Sequence, residues 1–421
     1  MLNDQQSRFY ITVFVASLGL GMSFYFIPVF AQTFGATFVD LGLIGTVWAI
    51  AATITPFLIN YLAGRMKRVW VYVLSLMLNA LAILLLILSR SVVDIMIMRF
   101  LGGIGMEAFW VIAEIMVTDL SPMEARVRDM GRYGIALVFG SLFGPLIGGL
   151  VIQSLGYVAL FVISAVVIGV STVQAIVWLV SGYPTTEPRR PQSFSGYRRI
   201  VGQLWPLYMM IVCYGIIWGL ITAIFPGYAN SIGVSAVLIG FLFSAFSVAR
   251  IFSYANAYRY LRFGEMRTLF FVSLVIFAGL LMISVFTAFI TLLVGLMLIG
   301  CGVGVVFPVS INFVSNHFPG ERASAAVASY ETAINMGETM GPYIFGMLTI
   351  ITTAGRSFLL MSVFGIFMAL FAVRGATKQG GSVRLVKATV TNERRMTQVS
   401  KRPGQANTAF HMVSSSAHGE N

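Results

Sequence analysis

A chain of 421 residues could hold roughly two to four soluble domains, yet 58% of it is apolar and only 10% is charged, against roughly 25% charged in soluble proteins. So few charges cannot cover a soluble surface of this size, and the long apolar runs are read as facing lipid. The formal charge of +12, from 27 basic and 15 acidic residues, could suggest nucleic acid, but its distribution argues against that.

Twelve spans, each near the ~20 apolar residues that cross the hydrocarbon core, are predicted in chain order. They cover 8–30, 39–60, 69–89, 91–117, 131–153, 156–181, 204–228, 234–257, 268–287, 289–314, 323–350 and 355–375. Met1 to Arg8 is polar and the run Phe9 to Phe30 is too long for a signal-peptide core, so the first span is expected to be retained. A β-barrel would need shorter strands of about ten alternating residues, which are not seen. Cys213 and Cys301 lie in apolar runs, so neither a disulfide framework nor a metal site is expected.

Orientation follows from the basic residues. With the N-terminus inside, 23 of the 27 Lys and Arg fall in cytoplasmic segments; only Arg90 and Arg356 fall outside, while Arg99 and Arg250 lie within spans. The net charge is therefore chiefly an orientation signal. It predicts a multi-pass protein of the cell membrane with both termini cytoplasmic. Two segments carry most of it: the linker 181–203, with Arg189, Arg190, Arg198 and Arg199, and the Ser/Thr-rich tail 376–421, expected to be disordered.

An internal repeat sets the architecture. Adding 197 carries Arg65 onto Arg262, Gly103 and Gly105 onto Gly300 and Gly302, and Pro122 and Glu124 onto Pro319 and Glu321. It also carries Tyr133 onto Tyr330, and Gly140, Gly144 and Pro145 onto Gly337, Gly341 and Pro342. One offset across four spans and two loops predicts an all-α membrane protein of two six-helix halves, 1–180 and 204–375, in the same orientation. Parallel halves with a site between them describe a secondary transporter.

Three stretches then resemble the major facilitator superfamily, over roughly residues 8–375. The loop Asn60-Tyr61-Leu62-Ala63-Gly64-Arg65-Met66-Lys67-Arg68 is similar to the family's G-x-L-A-D-R-x-G-R. Leu62, Ala63, Arg65 and Arg68 match; Gly64 replaces the acid that helps lock the outward-facing state in the family, which implies a weakened or differently built latch. Arg99-x-x-Gly102-Gly103-x-Gly105 resembles a second motif, whose arginine is associated with proton transfer in some members. Gly131, Gly140, Gly144-Pro145 and Gly148-Gly149 fit the spacing of a third, which in the family marks proton-coupled antiporters, especially drug exporters. Its physics is legible: Gly140, Gly144 and Gly148 share one face and admit a neighbouring backbone, and Pro145 bends the helix. Small residues that merely pack helices in another branch would look the same.

Charges at bilayer depth are costly, so each invites a role. In the fourth span Arg99, Gly103, Glu107, Trp110 and Glu114 fall within roughly 80° of one another, while Asp94 points away. Proton coupling is assigned to Glu107 first, with Arg99 and Glu114 beside it. The alternatives are an Arg99–Glu107 ion pair, a stretch at about 12 Å along the axis, and a loop partner such as Arg126 for Glu114. The eleventh span offers Glu331, Asn335 and Glu338, with Glu331 and Glu338 as further proton carriers or a latch between the halves; their counterparts in the first half are Gly134, Val138 and Ser141. Arg250, near mid-depth in the eighth span, is a counter-charge for one of these glutamates, an anion ligand or an interdomain salt bridge.

Aromatic stripes complete the candidate cavity: Met210, Tyr214, Trp218 and Phe225 in the seventh span, and Tyr10, Phe14, Phe24 and Pro28 in the first. They suit flat hydrophobic ligands, or packing. Gly300-x-Gly302-x-Gly304 lies in a span with no strand before it, and His317, His411 and His418 form no cluster. No P-loop or catalytic constellation is present, so no cofactor and no enzyme activity are expected. The leading expectation is a monomeric, proton-coupled exporter of hydrophobic or amphipathic compounds working by alternating access. Uptake of an organic anion through Arg99 and Arg250 is the alternative within transport, and a non-transporting sensor is the alternative outside it.

Overall fold

The computed structural model describes residues 4–63, 65–121, 125–181, 183, 197–318 and 321–375, and among these every regular element is helical. The linker, apart from its two ends, and the tail lie outside the described residues. The predicted spans recur with ends moved by a few residues. In the first half, α1 is Asp4–Gln32, α2 Phe38–Ala63, α3 Arg68–Leu85 with a 3-10 turn to Leu88, and α4 Val92–Leu120. The run Arg126–Leu179 holds both α5, to residue 155, and α6, from residue 157, because Gly156 breaks it at φ 82. That left-handed conformation suits glycine.

In the second half, α7 is Trp205–Ser231, α8 Ala236–Ala255, α9 Glu265–Val285 and α10 Phe289–His317. Next come α11, Glu321–Ile351, and α12, Ala354–Gly375. Exposed side chains mark the lipid-facing stripes: along α6 they include Val158, Val162, Val166, Val170, Val173 and Val177, at helical steps of three and four. Asp94 does what an acid at a helix start should do. Its carboxylate accepts from the Arg90 and Ser91 backbones at 2.9 Å each, and the Ser91 hydroxyl accepts from Asp94 N–H at 3.2 Å.

The repeat is visible in matched irregularities. α1 breaks at Tyr25 and Phe26 before a last turn that begins at Ile27 with Pro28. α7 passes through a π-helical turn, Leu220–Ile224, just before Pro226. Proline supplies no backbone N–H, so each helix loosens there.

The halves meet through two such matched pairs, α2 on α11 and α5 on α8. A Cβ added to Gly45 would lie 2.9 Å from the Pro342 ring, and one added to Gly240 would lie 3.2 Å from Leu146 Cα beside Pro145. On the membrane face away from the N-terminus the halves are sealed. The Gln32 amide donates to the Gly227 carbonyl at 3.0 Å and accepts from the Asn230 amide at 2.9 Å. One layer deeper the Tyr25 and Phe243 rings stack with centroids 3.9 Å apart. Thr46 donates to the Thr339 carbonyl at 3.1 Å, and Ser244 to the Leu142 carbonyl at 2.7 Å.

Candidate functional site

Below that seal, towards the N-terminal face, α4 and α11 each carry two carboxylates, one pair from each half. Glu107 and Glu114 on α4, and Glu331 and Glu338 on α11, are each seven residues apart and so share a face within each pair. Glu114 and Glu331 are exposed and Glu107 is half-buried, whereas Glu338 is only 7% exposed. They act on one another: Glu331 and Glu114 on Glu107, Glu114 on Glu331, and Glu107 and Glu331 on Glu338. The four form one electrostatic group that bridges the halves.

Among the described residues none of the four makes a hydrogen bond or ion pair; the ion pairs are Arg8–Asp4, Arg68–Asp119, Arg128–Asp129 and Arg132–Asp129. The side chain of Arg126, the partner expected for Glu114, lies outside the described residues. A group of this kind titrates as a unit rather than as four independent sites, because each proton taken up removes repulsion and so weakens the pull on the next.

Aromatic and basic groups border the carboxylates. Tyr214 on α7 lies within electrostatic reach of Arg250, Glu338 and Glu331. Arg250, expected as a counter-charge for a glutamate, an anion ligand or an interdomain salt bridge, has its guanidinium over the Trp218 ring, 5.4 Å from the centroid, with no ion pair among the described residues. Trp110 is half-buried on α4. Two further residues of the expected cavity are buried. Met210 is fully buried in the packing around α7, and Phe24 is buried against Trp48, with ring centroids 5.7 Å apart. Helical spacing carries no information on which neighbour covers a face.

Arg99 departs furthest from expectation. It shares the angular stripe of Glu107, yet its side chain runs back between α1 and α2, as long helical side chains lean towards the helix start. Its guanidinium sits 4.3 Å from the Phe24 centroid and 5.5 Å from that of Trp48. No ion pair joins it to Glu107.

Sequence reasoning missed an ionic layer at the N-terminal face. Arg68 at the start of α3 forms a buried ion pair with Asp119 at the end of α4, and the Tyr183 hydroxyl beyond α6 also donates to Asp119. Burial and the Asp119 carboxylate push the Tyr183 hydroxyl well above the usual phenol range. Next to it, fully buried Asp129 accepts from Gln6 at 3.1 Å and Arg132 at 2.9 Å. The signals were Arg68 in the loop motif and an acid two residues beyond the predicted end of the fourth span. Arg65 is exposed and lies 4.0 Å over the Tyr61 ring. Gly64 lies outside the described residues.

The glycine motif of α5 packs on both neighbours. A Cβ at Gly140 would lie 2.5 Å from Ser17 Cβ, and at Gly144 2.7 Å from the Gly21 carbonyl carbon, so α1 and α5 touch backbone to backbone. Gly148 continues that face, 3.0 Å from the Phe26 ring by the same measure. Gly149 points instead to the other half, 2.5 Å from the Ala236 carbonyl oxygen. Gly341 repeats the internal contact, 3.0 Å from Ile216 Cα on α7. Gly131 meets nothing within 4 Å, so the close packing belongs to residues 140–149.

Comparison with known proteins agrees with this architecture. The model of the Major Facilitator Superfamily matches residues 9–254 and 207–405. An uncharacterized MFS-type transporter of Methanocaldococcus jannaschii is 22% identical over 372 residues, covering 86% of this chain and 96% of its own length. The quinolone resistance protein NorA of Staphylococcus aureus is also 22% identical over 372 residues, covering 82% and 90%. Among solved structures, a bacterial homolog of the human lysosomal transporter Spinster, inward-facing and unoccupied, superposes with a TM-score of 0.71. It is 14% identical and covers 90% of this chain and 98% of its own. A mutant of the nucleoside transporter NupG superposes at 0.76, with 13% identity and coverage of 88% and 100%.

Proposed function

The chain belongs to the major facilitator superfamily, and we propose that within it this protein is a proton-coupled exporter of hydrophobic or amphipathic compounds, working by alternating access. One observation carries the reading: four carboxylates from both halves act on one another, with no cationic partner among the described residues, while hydrogen bonds join the halves on the face away from the N-terminus. Ionised, they repel and hold water between α4 and α11. Neutralised by protons, they can be desolvated and the halves can close over them. A bound substrate competes for the same space, so proton and substrate exchange.

The basic residues orient the chain with both termini cytoplasmic in the cell membrane, which makes the exposed side of the cavity the cytoplasmic one. Resemblance to the quinolone resistance protein favours export of flat aromatic compounds, and Trp110, Tyr214 and Trp218 offer rings for them. A second reading, uptake of an organic anion, rests on Arg250, which has no ion pair among the described residues and sits over Trp218. A non-transporting sensor would bind without flux.

The test is flux of a fluorescent quinolone in proteoliposomes with an imposed pH gradient. Export predicts accumulation that collapses with a protonophore. Binding without gradient-driven flux would leave the sensor, and flux only of organic anions would leave the second reading.

A further inference from the structure

We propose that the first half encloses a binding site for a small monovalent anion of the chloride class, centred on Arg99. Arg99 is 5% exposed, and its side chain makes no hydrogen bond or ion pair among the described residues; its Nε has no partner. A guanidinium keeps its charge in any protein environment, and a buried charge without a counter-charge is strongly disfavoured. The faces of Phe24 and Trp48, at 4.3 and 5.5 Å, offset part of this by cation–π attraction but supply no anion.

The guanidinium lines a cavity of about 30 Å³ between α1, α2, α3 and α4. Its other polar lining residues are Ser23, whose hydroxyl donates to the Leu20 carbonyl, Trp48 and Asn79. Trp48 Nε1 is buried without a partner. Asn79 gives one amide hydrogen to the Ser75 carbonyl at 3.2 Å and has a second to give. No carboxylate lines the space. A charged donor and two neutral ones around a pocket that lacks acid is the complement of an anion.

Size narrows the class. The cavity has room for one or two water-sized bodies. A halide is of that size, whereas a phosphate, a sulfate or a carboxylate metabolite is larger. Water would satisfy the donors but leave the positive charge uncompensated, which a halide corrects. The site is separate from the four carboxylates and stands whether or not those couple protons.

Thermal unfolding of the purified full-length protein at fixed ionic strength tests this, with sodium chloride or bromide set against sodium gluconate. A saturable rise in midpoint is expected with either halide and not with gluconate, and it should vanish in Arg99→Gln. Trp48→Phe keeps the ring but removes one donor, and should raise the half-saturating halide concentration about tenfold. Bromide-soaked crystals should show anomalous density beside Arg99. Equal midpoints in chloride and gluconate, a halide response that survives Arg99→Gln, or no anomalous density at the site would each leave water only and overturn the proposal. Should Arg99→Gln fail to fold, Trp48→Phe and the bromide density decide.

Discussion

At the scale of single residues, Glu107 carries the heaviest expectation. It is the half-buried member of the carboxylate group and feels both Glu114 and Glu331. Glu107→Gln keeps the shape and removes the exchangeable charge. Substrate binding to the detergent-solubilised variant should persist, with proton release on adding substrate cut to less than half. Release equal to wild type would transfer the role to Glu331 or Glu338. Arg68 and Asp119 make a different test. Asp119→Ala leaves a buried guanidinium without its carboxylate and should lower stability by about 3 kcal/mol, read as a fall in unfolding midpoint. The double change Arg68→Met with Asp119→Leu should recover much of that loss, since two apolar side chains bury cheaply together. Neither Asp119 nor Tyr183 was legible beforehand, because the contact joins the starts and ends of three helices far apart in sequence. Arg99 was legible as an intramembrane charge, but its covering by Phe24 and Trp48 belongs to the packing of α1 and α2 against α4.

At the scale of elements, the glycine motif of α5 reads as a contact surface with two partners. Gly144→Leu would drive a side chain into the Gly21 backbone, 2.7 Å from where the first carbon must sit. Membrane insertion should survive, since span hydropathy rises, while transport falls at least tenfold as α1 and α5 separate. Pro145→Ala restores a hydrogen bond to α5 and should slow turnover while leaving substrate affinity unchanged. Normal kinetics in both variants would remove this motif from the conformational cycle. Repeat spacing and glycine periodicity were legible because they are local, one-dimensional patterns. That Gly149 and Pro342 face the opposite half was not, because nothing in α5 or α11 alone says which helix lies across the interface.

At the scale of the whole molecule, the contacts on the far face join the two halves there. Gln32→Ala together with Asn230→Ala removes two hydrogen bonds between them, each worth roughly 1 kcal/mol. Amide exchange at Ile27–Gln32 and Phe225–Ser231 should quicken several-fold, and unchanged exchange would place the seal in the Tyr25–Phe243 stack instead. The two-half plan was legible from a single offset of 197, and the matched contacts of Pro145 and Pro342 repeat it in three dimensions. Which face is closed was not, because that depends on side chains meeting across the halves rather than on any span. Coupling of protons to movement of the substrate would fall to the four carboxylates acting together. The direct measurement compares quinolone flux in proteoliposomes, with and without a pH gradient, between the wild type and a variant carrying Gln at 107, 114, 331 and 338. The variant should keep slow downhill flux and lose all gradient-driven accumulation; accumulation equal to wild type would contradict the mechanism.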